Sequence, residues 1–311
     1  MEHIKILARV AEIERERYSS SGDYSVTDLI NPPRVVRLKK RHMDEAEQPL
    51  SSVIPSMMGT AIHEYFEKYL TMWVLKHKYQ NYTFEEQLEY DVSDRKISGR
   101  YDIRDGKHLY DIKTAKVWKK IFDPEMIEWH QQQNLYSYLL HKNGTELDSI
   151  NIVAVYKDWQ EGNALRDRTY PQDQVVEYEL SHWTREEQER FLLERLELHK
   201  ACEDVEDHEL PLCSRSERWE RFQGGHEIEF AIMKKSTAKR AARVIKTSLE
   251  DAYAYARGMK GITTDSFIEV RYAVRKRCEK YCAINGFCSD YLAYDKAKKT
   301  NKLNDIMPIV L

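Results

Sequence analysis

The sequence lacks the features of several classes of protein. It has no run approaching the roughly 18 consecutive apolar residues that a membrane-spanning helix needs, so we expect no membrane span. Its first residues, MEHIKILARVAEIERERY, lack the basic start, apolar core and small-residue cleavage site of a signal peptide, so we expect a cytoplasmic protein. Internal repeats and low-complexity tracts are also absent.

Cysteine is scarce, and there is little net charge. The chain has five cysteines. An odd number of cysteines, in a chain without a secretory signal, argues against a disulfide framework. The net charge of −3 argues at first against a nucleic-acid partner, but residues 211–300 carry 19 Lys and Arg against 11 Asp and Glu. This basic third could follow a phosphate backbone or be an ordinary solvated surface, and charge alone does not decide between them.

Length and composition set the outer bounds. A chain of 311 residues is long enough for one large α/β domain with additions or for two modest domains. Hydrophobic content of 41% and charged content of 32% are typical of a soluble globular protein.

One stretch, residues 96–116 (KISGRYDIRDGKHLYDIKTAK), carries the strongest signal for chemistry. It predicts two strands joined by a tight turn at Asp105-Gly106, and residues 82–92 predict one further strand that leads into this hairpin. Side chains two apart on a strand share a face, so Asp111 and Lys113 project together and Asp102 approaches from the neighbouring strand. We therefore expect two acids and a lysine at one end of the hairpin.

These residue types suit phosphodiester hydrolysis. Carboxylates such as Asp102 and Asp111 hold Mg²⁺ or Mn²⁺, and an ammonium group such as that of Lys113 stabilises the charge that builds on phosphorus. An isolated Asp-x-Lys is nevertheless far more often part of a solvated hairpin. The interpretation therefore depends on the motifs around it.

Two predicted helices flank the hairpin. The first, GTAIHEYFEKYL, carries His63, and the second, EWHQQQNLYSYLL, carries Gln132 and Tyr136 one turn apart on one side. For His63 alone, a core or surface histidine without a metal is the favoured interpretation. The order His63, Asp102, Asp111-Ile112-Lys113 and Gln132-x-x-x-Tyr136 reverses that preference.

This ordered set closely resembles the RecB-like, phage-encoded branch of the PD-(D/E)XK nuclease superfamily. The resemblance implies an α/β restriction-endonuclease-like core, a mixed central sheet flanked by helices in the order αβββαβ. It also implies that the metal is held by His63, Asp102, Asp111 and the backbone carbonyl of Ile112, with Lys113 positioning the water. Gln132 and Tyr136 would line the site and help to position DNA. A bacterium or a phage-infected host cell would be the setting.

The segment TAKVWKK follows Lys113 and places basic residues beside an aromatic. We expect Lys116 and Trp118 to contact DNA at the mouth of the site through phosphate and base contacts. A tryptophan half buried under lysine stems is at least as good an interpretation.

Four of the cysteines predict a second site. Cys278, Cys282 and Cys288 lie close together in RCEKYCAINGFCSDY, and Cys213 offers a fourth thiolate, so the group suits a soft metal. One distant cysteine with a C-terminal trio differs from a zinc ribbon and resembles the [4Fe–4S] sites of nucleases in this family. We favour an iron–sulfur cluster over zinc, and we expect Cys202 to be structural, with a reserve role as fourth ligand.

One segment departs from the family pattern. Relatives that act in CRISPR adaptation usually carry a cysteine just before a proline and an arginine, whereas this chain has Asn31 and Pro32 there. The chain is divided as 1–50, an N-terminal helical segment; 51–180, the nuclease core; and 181–311, a linker helix with an α/β cysteine-cluster module.

The resemblance implies a metal-dependent DNA nuclease, an exonuclease in recombination, repair or phage DNA processing. The alternative is a non-catalytic DNA-binding or scaffold protein on the same fold, and a weaker third option is a zinc-dependent binding module. The motifs leave open strand preference, polarity, endonuclease or exonuclease action, oligomeric state and any helicase or recombinase partner.

Overall fold

A computed structural model describes residues 21–46, 50–222, 226–300 and 305–309. Residues 1–20 and 47–49 of the predicted N-terminal helical segment lie outside these residues. Of the described residues, one compact unit holds 21–36 and 50–204, and a second holds 37–46 and those from 205 onward. The long helix predicted as a linker to the cysteine module belongs to the first unit.

The first unit is a mixed α/β structure that carries all the predicted catalytic residues. Its strands are β1 (Tyr24–Ser25), β2 (Tyr82–Phe84), β3 (Gln87–Val92), β4 (Arg95–Arg100), β5 (Ile103–Asp105), β6 (His108–Ala115), β7 (Ser149–Tyr156) and β8 (Val175–Leu180). Its helices are α1 (Val26–Ile30), the start of α2 (Pro33–His42), α3 (Leu50–His77), α4 (Val117–Phe122), α5 (Ile127–Lys142), α6 (Glu161–Ala164) and α7 (Arg185–Lys200).

Two sheets form within this unit. The larger has the strand order β2-β5-β6-β7-β8, and the smaller has the order β1-β4-β3. Strands β6 and β7 are parallel and are joined through α4 and α5, whereas the other pairs of the larger sheet are antiparallel. The turn at Asp105-Gly106 closes the β5–β6 hairpin as predicted, with Gly106 at a φ of 57° that favours glycine.

The predicted three-strand order before α5 is wrong in detail. The segment Tyr82–Val92 was predicted as one strand and is two, β2 and β3, and the first strand of the central hairpin is likewise two, β4 and β5. Strand β3 pairs with β4 in the small sheet, and β2 pairs with β5 in the large one. This antiparallel ribbon therefore changes sheets between Phe84 and Gln87 on one strand and between Arg100 and Ile103 on the other.

The core of the first unit lies around α5 and the strand β7. Nine consecutive residues of α5, from Gln132 to Leu140, are buried, and so are the apolar residues Ile150, Ile152 and Tyr156 of β7. Burial of these apolar faces of α5 and β7 supplies most of the stability of the unit, because burial of one such side chain stabilises by about 1.5–3 kcal/mol.

Helix α7 begins with a capping box. The Thr184 hydroxyl accepts a hydrogen bond from the backbone N–H of Glu187, and the Glu187 carboxylate accepts one from the backbone N–H of Thr184.

The second unit has its own sheet and core. Its strands are β9 (Glu220–Arg221), β10 (Ile228–Met233), β11 (Arg243–Ile245), β12 (Phe267–Tyr272), β13 (Val274–Arg275) and β14 (Asp305–Pro308). Its helices are α8 (Leu249–Arg257), α9 (Lys276–Lys280) and α10 (Ser289–Lys299), with a 3₁₀ turn at Asn285–Phe287. The sheet order is β11-β10-β12-β14, and Ala252 and Ala256 of α8 pack on Phe230, Ile232 and Ile268.

The structure confirms an α/β fold with mixed sheets flanked by helices. Among the helices that the structure describes, none is both long and apolar enough to cross a membrane.

Candidate metal centre

Helix α3 positions the predicted histidine against the β5–β6 hairpin. A Cβ atom at Gly59 would lie 3.3 Å from Thr114 Oγ1, so the absence of a side chain at Gly59 allows the helix backbone close to β6. His63 lies one turn further along the same face of the helix. Its Nδ1 is 3.2 Å from Oδ2 of Asp102.

The backbone of Ile112 contributes to the same site. Strand β5 pairs with β6 only as far as Ile103 and Tyr110. The edge of β6 that faces β5 is therefore unpaired at Ile112, while the other edge pairs with β7. The Ile112 N–H donates to Asp102 Oδ2 over 2.7 Å, and the Ile112 backbone lies near enough to the imidazole of His63 to oppose the lowering of its pKa. Because N–H and C=O of one strand residue point the same way, one side of β6 offers a carbonyl oxygen to the site.

Asp111 and Lys113 lie together, as their shared strand parity predicts. Oδ2 of Asp111 is 2.7 Å from Nζ of Lys113. Asp111 is only 2% exposed, so little solvent reaches its carboxylate. The ammonium group of Lys113 compensates the charge of this carboxylate. The ion pair also holds the ammonium group of Lys113 close enough to His63 and Asp102 to affect the pKa of each.

Glu85 is a site residue that the sequence prediction missed. The candidate ligand atoms of His63, Glu85 and Asp102 all lie within 4.8 Å of one another, the only such group of His, Cys, Asp and Glu among the described residues. Glu85 lies at the break between β2 and β3, with a φ of 49°. Its N–H donates to the Asp102 carbonyl over 2.9 Å, and its Oε2 is 3.0 Å from Arg100 Nε.

A left-handed conformation at a non-glycine residue is costly and is found where surrounding structure enforces it. Here the enforced position turns the carboxylate of Glu85 towards Asp102. The only sequence signal was the pair Glu85-Glu86, which interrupts the alternation of apolar residues within a predicted strand.

The candidate site has an excess of negative charge and is poorly solvated. Burial, followed by the nearby charge of Asp111, raises the pKa of Asp102 well above its ordinary value. Burial also raises the pKa of Glu85, with Arg100 acting in the opposite direction and the charges of Glu67 and Asp111 adding to the rise. Burial lowers the pKa of His63, which favours the neutral imidazole that a metal needs as ligand.

Gln132 and Tyr136 contact each other on α5. Nε2 of Gln132 donates to the hydroxyl of Tyr136 over 3.1 Å, and both side chains are buried. A Cβ atom at Gly99 would lie 2.8 Å from Cε1 of the Tyr136 ring, so only glycine fits beside this tyrosine. Packing therefore explains the glycine at position 99. This contact places Tyr136 beside strand β4, which leads to Asp102.

The residues predicted to contact DNA lie at the end of β6. Lys116 is exposed, and Trp118 is 53% exposed, with its ring stacked on Phe122 at 5.3 Å. The neighbouring Lys119 pairs with Asp123 over 2.7 Å. Lys116 and Trp118 thus remain accessible to a ligand, whereas Lys119 is paired within the chain.

The four predicted cluster cysteines come together in the second unit. The thiols of Cys213, Cys278, Cys282 and Cys288 are close enough to interact electrostatically. Burial raises the pKa of Cys213 to about 12 and that of Cys278 to about 11. Cys202, the reserve ligand, is buried in the first unit at the end of α7.

Positive charges surround these thiols. Arg277 acts on Cys213 and Cys282, Arg275 acts on Cys278, and Lys39 acts on Cys282, each lowering the pKa of the thiol. Thiolates bound to a metal carry negative charge, so these cations favour the ligand form of the cysteines. The side chain of Asn285 donates to the Cys278 carbonyl over 2.9 Å and so helps to fix the loop between Cys282 and Cys288.

No known protein-family model matches this sequence, and no match was found among curated proteins. Among solved structures, the crystal structure of SSO0001 aligns with a TM-score of 0.45 and 19% identity, covering 62% of this chain and 85% of that one. A likeness of this degree carries no argument about function, which must come from the residues themselves.

Proposed function

We propose that the first unit is a divalent-metal-dependent phosphodiesterase that hydrolyses DNA. The observation that carries the proposal is the grouping of His63, Glu85 and Asp102 within 4.8 Å of one another, beside the Asp111–Lys113 ion pair. Carboxylates, an imidazole and the Ile112 carbonyl together form a hard donor set of the kind that Mg²⁺ and Mn²⁺ accept. The imidazole shifts the preference somewhat towards Mn²⁺.

The raised pKa values of Asp102 and Glu85 support this fit. Buried carboxylates that repel one another hold protons more tightly, and a bound divalent cation would remove that repulsion. The metal, when bound, would supply an activated water and charge screening for the phosphate.

The chain's own residues then have distinct roles. Asp111 holds Lys113, whose ammonium group would face the phosphate and stabilise the charge that develops there. Asp102 orients the Ile112 backbone through the 2.7 Å hydrogen bond, which presents the Ile112 carbonyl. Glu67 lies near Glu85 and adds negative charge at the rim of the site.

DNA is the proposed substrate because the motif order resembles that of DNA nucleases and because two features near the site suit a nucleic acid. The exposed Lys116 and Trp118 offer a cation and a ring at the end of β6. The Gln132–Tyr136 pair is buried and bonded within the chain, so it would support the site from inside rather than contact DNA.

For the second unit we propose a cluster of iron and sulfide held by Cys213, Cys278, Cys282 and Cys288. One distant cysteine with a C-terminal trio differs from the paired cysteines of a zinc ribbon, which supports iron and sulfide over zinc. Iron and sulfide analysis of anaerobically purified protein separates the two occupants, since zinc brings no acid-labile sulfide.

The test of the nuclease proposal is cleavage of end-labelled single-stranded and duplex DNA with Mn²⁺ or Mg²⁺. We expect cleavage by the wild type, loss of at least about 100-fold in Lys113→Ala, and no change in Lys107→Ala. Lys107 is a suitable control because it lies in the turn before β6, is exposed, and pairs only loosely with Asp148 at 3.6 Å. Tight DNA binding without cleavage under any metal condition would instead favour the scaffold interpretation.

A further inference from the structure

The second unit carries a strongly basic segment that the proposed metal centres do not use. Residues 234–246, KKSTAKRAARVIK, contain six cationic side chains and no acidic one. They form the loop between β10 and β11 together with β11 itself, and we name them the basic hairpin. Its cations are Lys234, Lys235, Lys239, Arg240, Arg243 and Lys246.

All six of these side chains are exposed, and none forms an ion pair with a residue that the structure describes. Several other cations of the unit are neutralised. Arg218 pairs with Glu220 at 3.1 Å, Arg275 with Asp290 at 2.9 Å, and Lys298 with Glu279 at 2.6 Å. The basic hairpin is thus a local concentration of uncompensated positive charge, which attracts a polyanion.

The backbone of the hairpin is held in place by its neighbours. Both the N–H and the hydroxyl of Ser236 donate to Asp265 Oδ2, at 3.1 and 3.2 Å. The Ser266 hydroxyl donates to the Lys234 carbonyl at 2.6 Å, and Ala242 N–H donates to the Ile232 carbonyl at 2.8 Å. A fixed backbone lowers the entropy lost when a ligand is bound, so these contacts prepare the hairpin for binding.

Two further features shape the charged surface. The guanidinium of Arg243 lies over the ring of Tyr255 at 5.5 Å, which holds it near the body of the unit. Lys234 Nζ lies beside Gly261, next to the exposed Lys260, so the positive surface continues beyond the hairpin. The nearest acids are Glu229 in β10, Glu250 and Asp251 in the first turn of α8, and Asp265, which accepts from Ser236.

We propose that the basic hairpin is a contact surface for the phosphate backbone of a nucleic acid. Its loop, KKSTAKRAAR, has no aromatic or large aliphatic side chain, and surface segments that bind membranes generally insert such side chains. Lysine and arginine beside serine and threonine are the usual partners of phosphate oxygens. No base-reading geometry is implied, so binding is sequence-independent and depends on salt.

This inference rests on the proposed function only for the choice of DNA as the probe. The contact surface would supply affinity that the acidic metal site cannot supply by itself, because carboxylates without a metal repel phosphate. A substrate would then be held by the second unit whether or not the metal is present.

The test measures binding of a fluorescent DNA duplex by the full-length protein in EDTA, where no cleavage interferes, as a function of salt. For Lys239→Gln/Arg240→Gln we expect a Kd at least about tenfold weaker near 0.1 M salt and a salt slope smaller by about 2. The matched control is Lys296→Gln/Lys299→Gln, which removes the same charge from α10, where Lys299 pairs with Asp295 at 2.6 Å. We expect it to bind like the wild type.

Three results would overturn the proposal. One is an unchanged Kd and slope in the hairpin variant; another is an equal loss in the control, which would show a net-charge effect only. The third is loss of binding to vesicles containing phosphatidylserine while DNA binding is unchanged, which would assign the surface to membranes. Circular dichroism checks that the hairpin variant is folded. The charge-retaining variant Lys239→Arg/Arg240→Lys should bind DNA like the wild type, which would show that lost charge and not misfolding weakens binding. DNA binding without cleavage would contradict the proposed function alone.

Discussion

The N–H of Glu85 donates to the carbonyl of Asp102 over 2.9 Å, one residue beyond Phe84 and Ile103, the last pair of their strands in the large sheet. This hydrogen bond joins the two breaks at which an antiparallel ribbon passes from one sheet to the other. Both carboxylates therefore leave the regular alternation of the strands and turn towards His63.

We predict that Glu85 is required for metal binding. Glu85→Gln keeps the volume and removes the charge, so we expect Mn²⁺ affinity to fall by at least about tenfold, as measured by calorimetric titration. The control is Glu89→Gln, on the same ribbon, whose carboxylate pairs with Lys96 at 3.3 Å. Equal affinities of Glu85→Gln and the wild type would remove Glu85 from the site.

The stability of the metal-free protein should depend on pH in an unusual direction. The pKa of Asp102 is raised in the fold, so the folded state binds more protons than the unfolded state between the ordinary pKa of 3.8 and the raised one. Stability without metal should therefore fall as the pH rises through that window and recover when Mn²⁺ is added. Thermal unfolding with and without Mn²⁺ across pH 4–8 measures both effects.

Burial of the Asp102 carboxylate and its repulsion by Asp111 predict a stabilising substitution. Asp102→Asn retains an oxygen for the Ile112 N–H and removes a buried charge, so we expect the metal-free protein to gain on the order of 1 kcal/mol. Denaturant unfolding in EDTA at neutral pH provides the measurement, and a loss of stability would contradict the account. Mn²⁺ should stabilise the variant less than it stabilises the wild type.

Much of this arrangement follows from the sequence, and some of it does not. Asp111 and Lys113 are paired because the period of a strand fixes their face, whereas His63 was selected only by its place in the ordered set of motifs. The sheet switch at Glu85 has no such periodic signature, since it is imposed by pairing with a distant strand. For that reason the two long strands were predicted as continuous and Glu85 was missed.

The contact between Gly99 and Tyr136 gives a packing prediction. In Gly99→Ala, the Cβ would lie 2.8 Å from the tyrosine ring and 3.0 Å from Val26 Cγ2, so we expect a loss of about 1–3 kcal/mol in the free energy of unfolding. Gly162→Ala is the control, because nothing lies within 4 Å of the added carbon. It should leave stability unchanged or raise it slightly.

The cysteines of the second unit should act as a set. Cys278→Ser is expected to lower bound iron and acid-labile sulfide to a small fraction of the wild-type content, whereas Cys202→Ser, in the other unit, should retain both. Absorbance and elemental analysis of anaerobically purified proteins provide the measurement. Stoichiometric zinc without sulfide in the wild type would assign the site to zinc.

The central claim is that one metal-binding centre performs phosphodiester hydrolysis. Its most direct test is Mn²⁺ titration of DNA cleavage by the wild type and by Asp111→Ala, with Mn²⁺ binding measured on the same samples. We predict that the wild type cleaves in proportion to bound Mn²⁺ and that the variant loses activity by at least about 100-fold at every concentration. Full cleavage by Asp111→Ala would contradict the account.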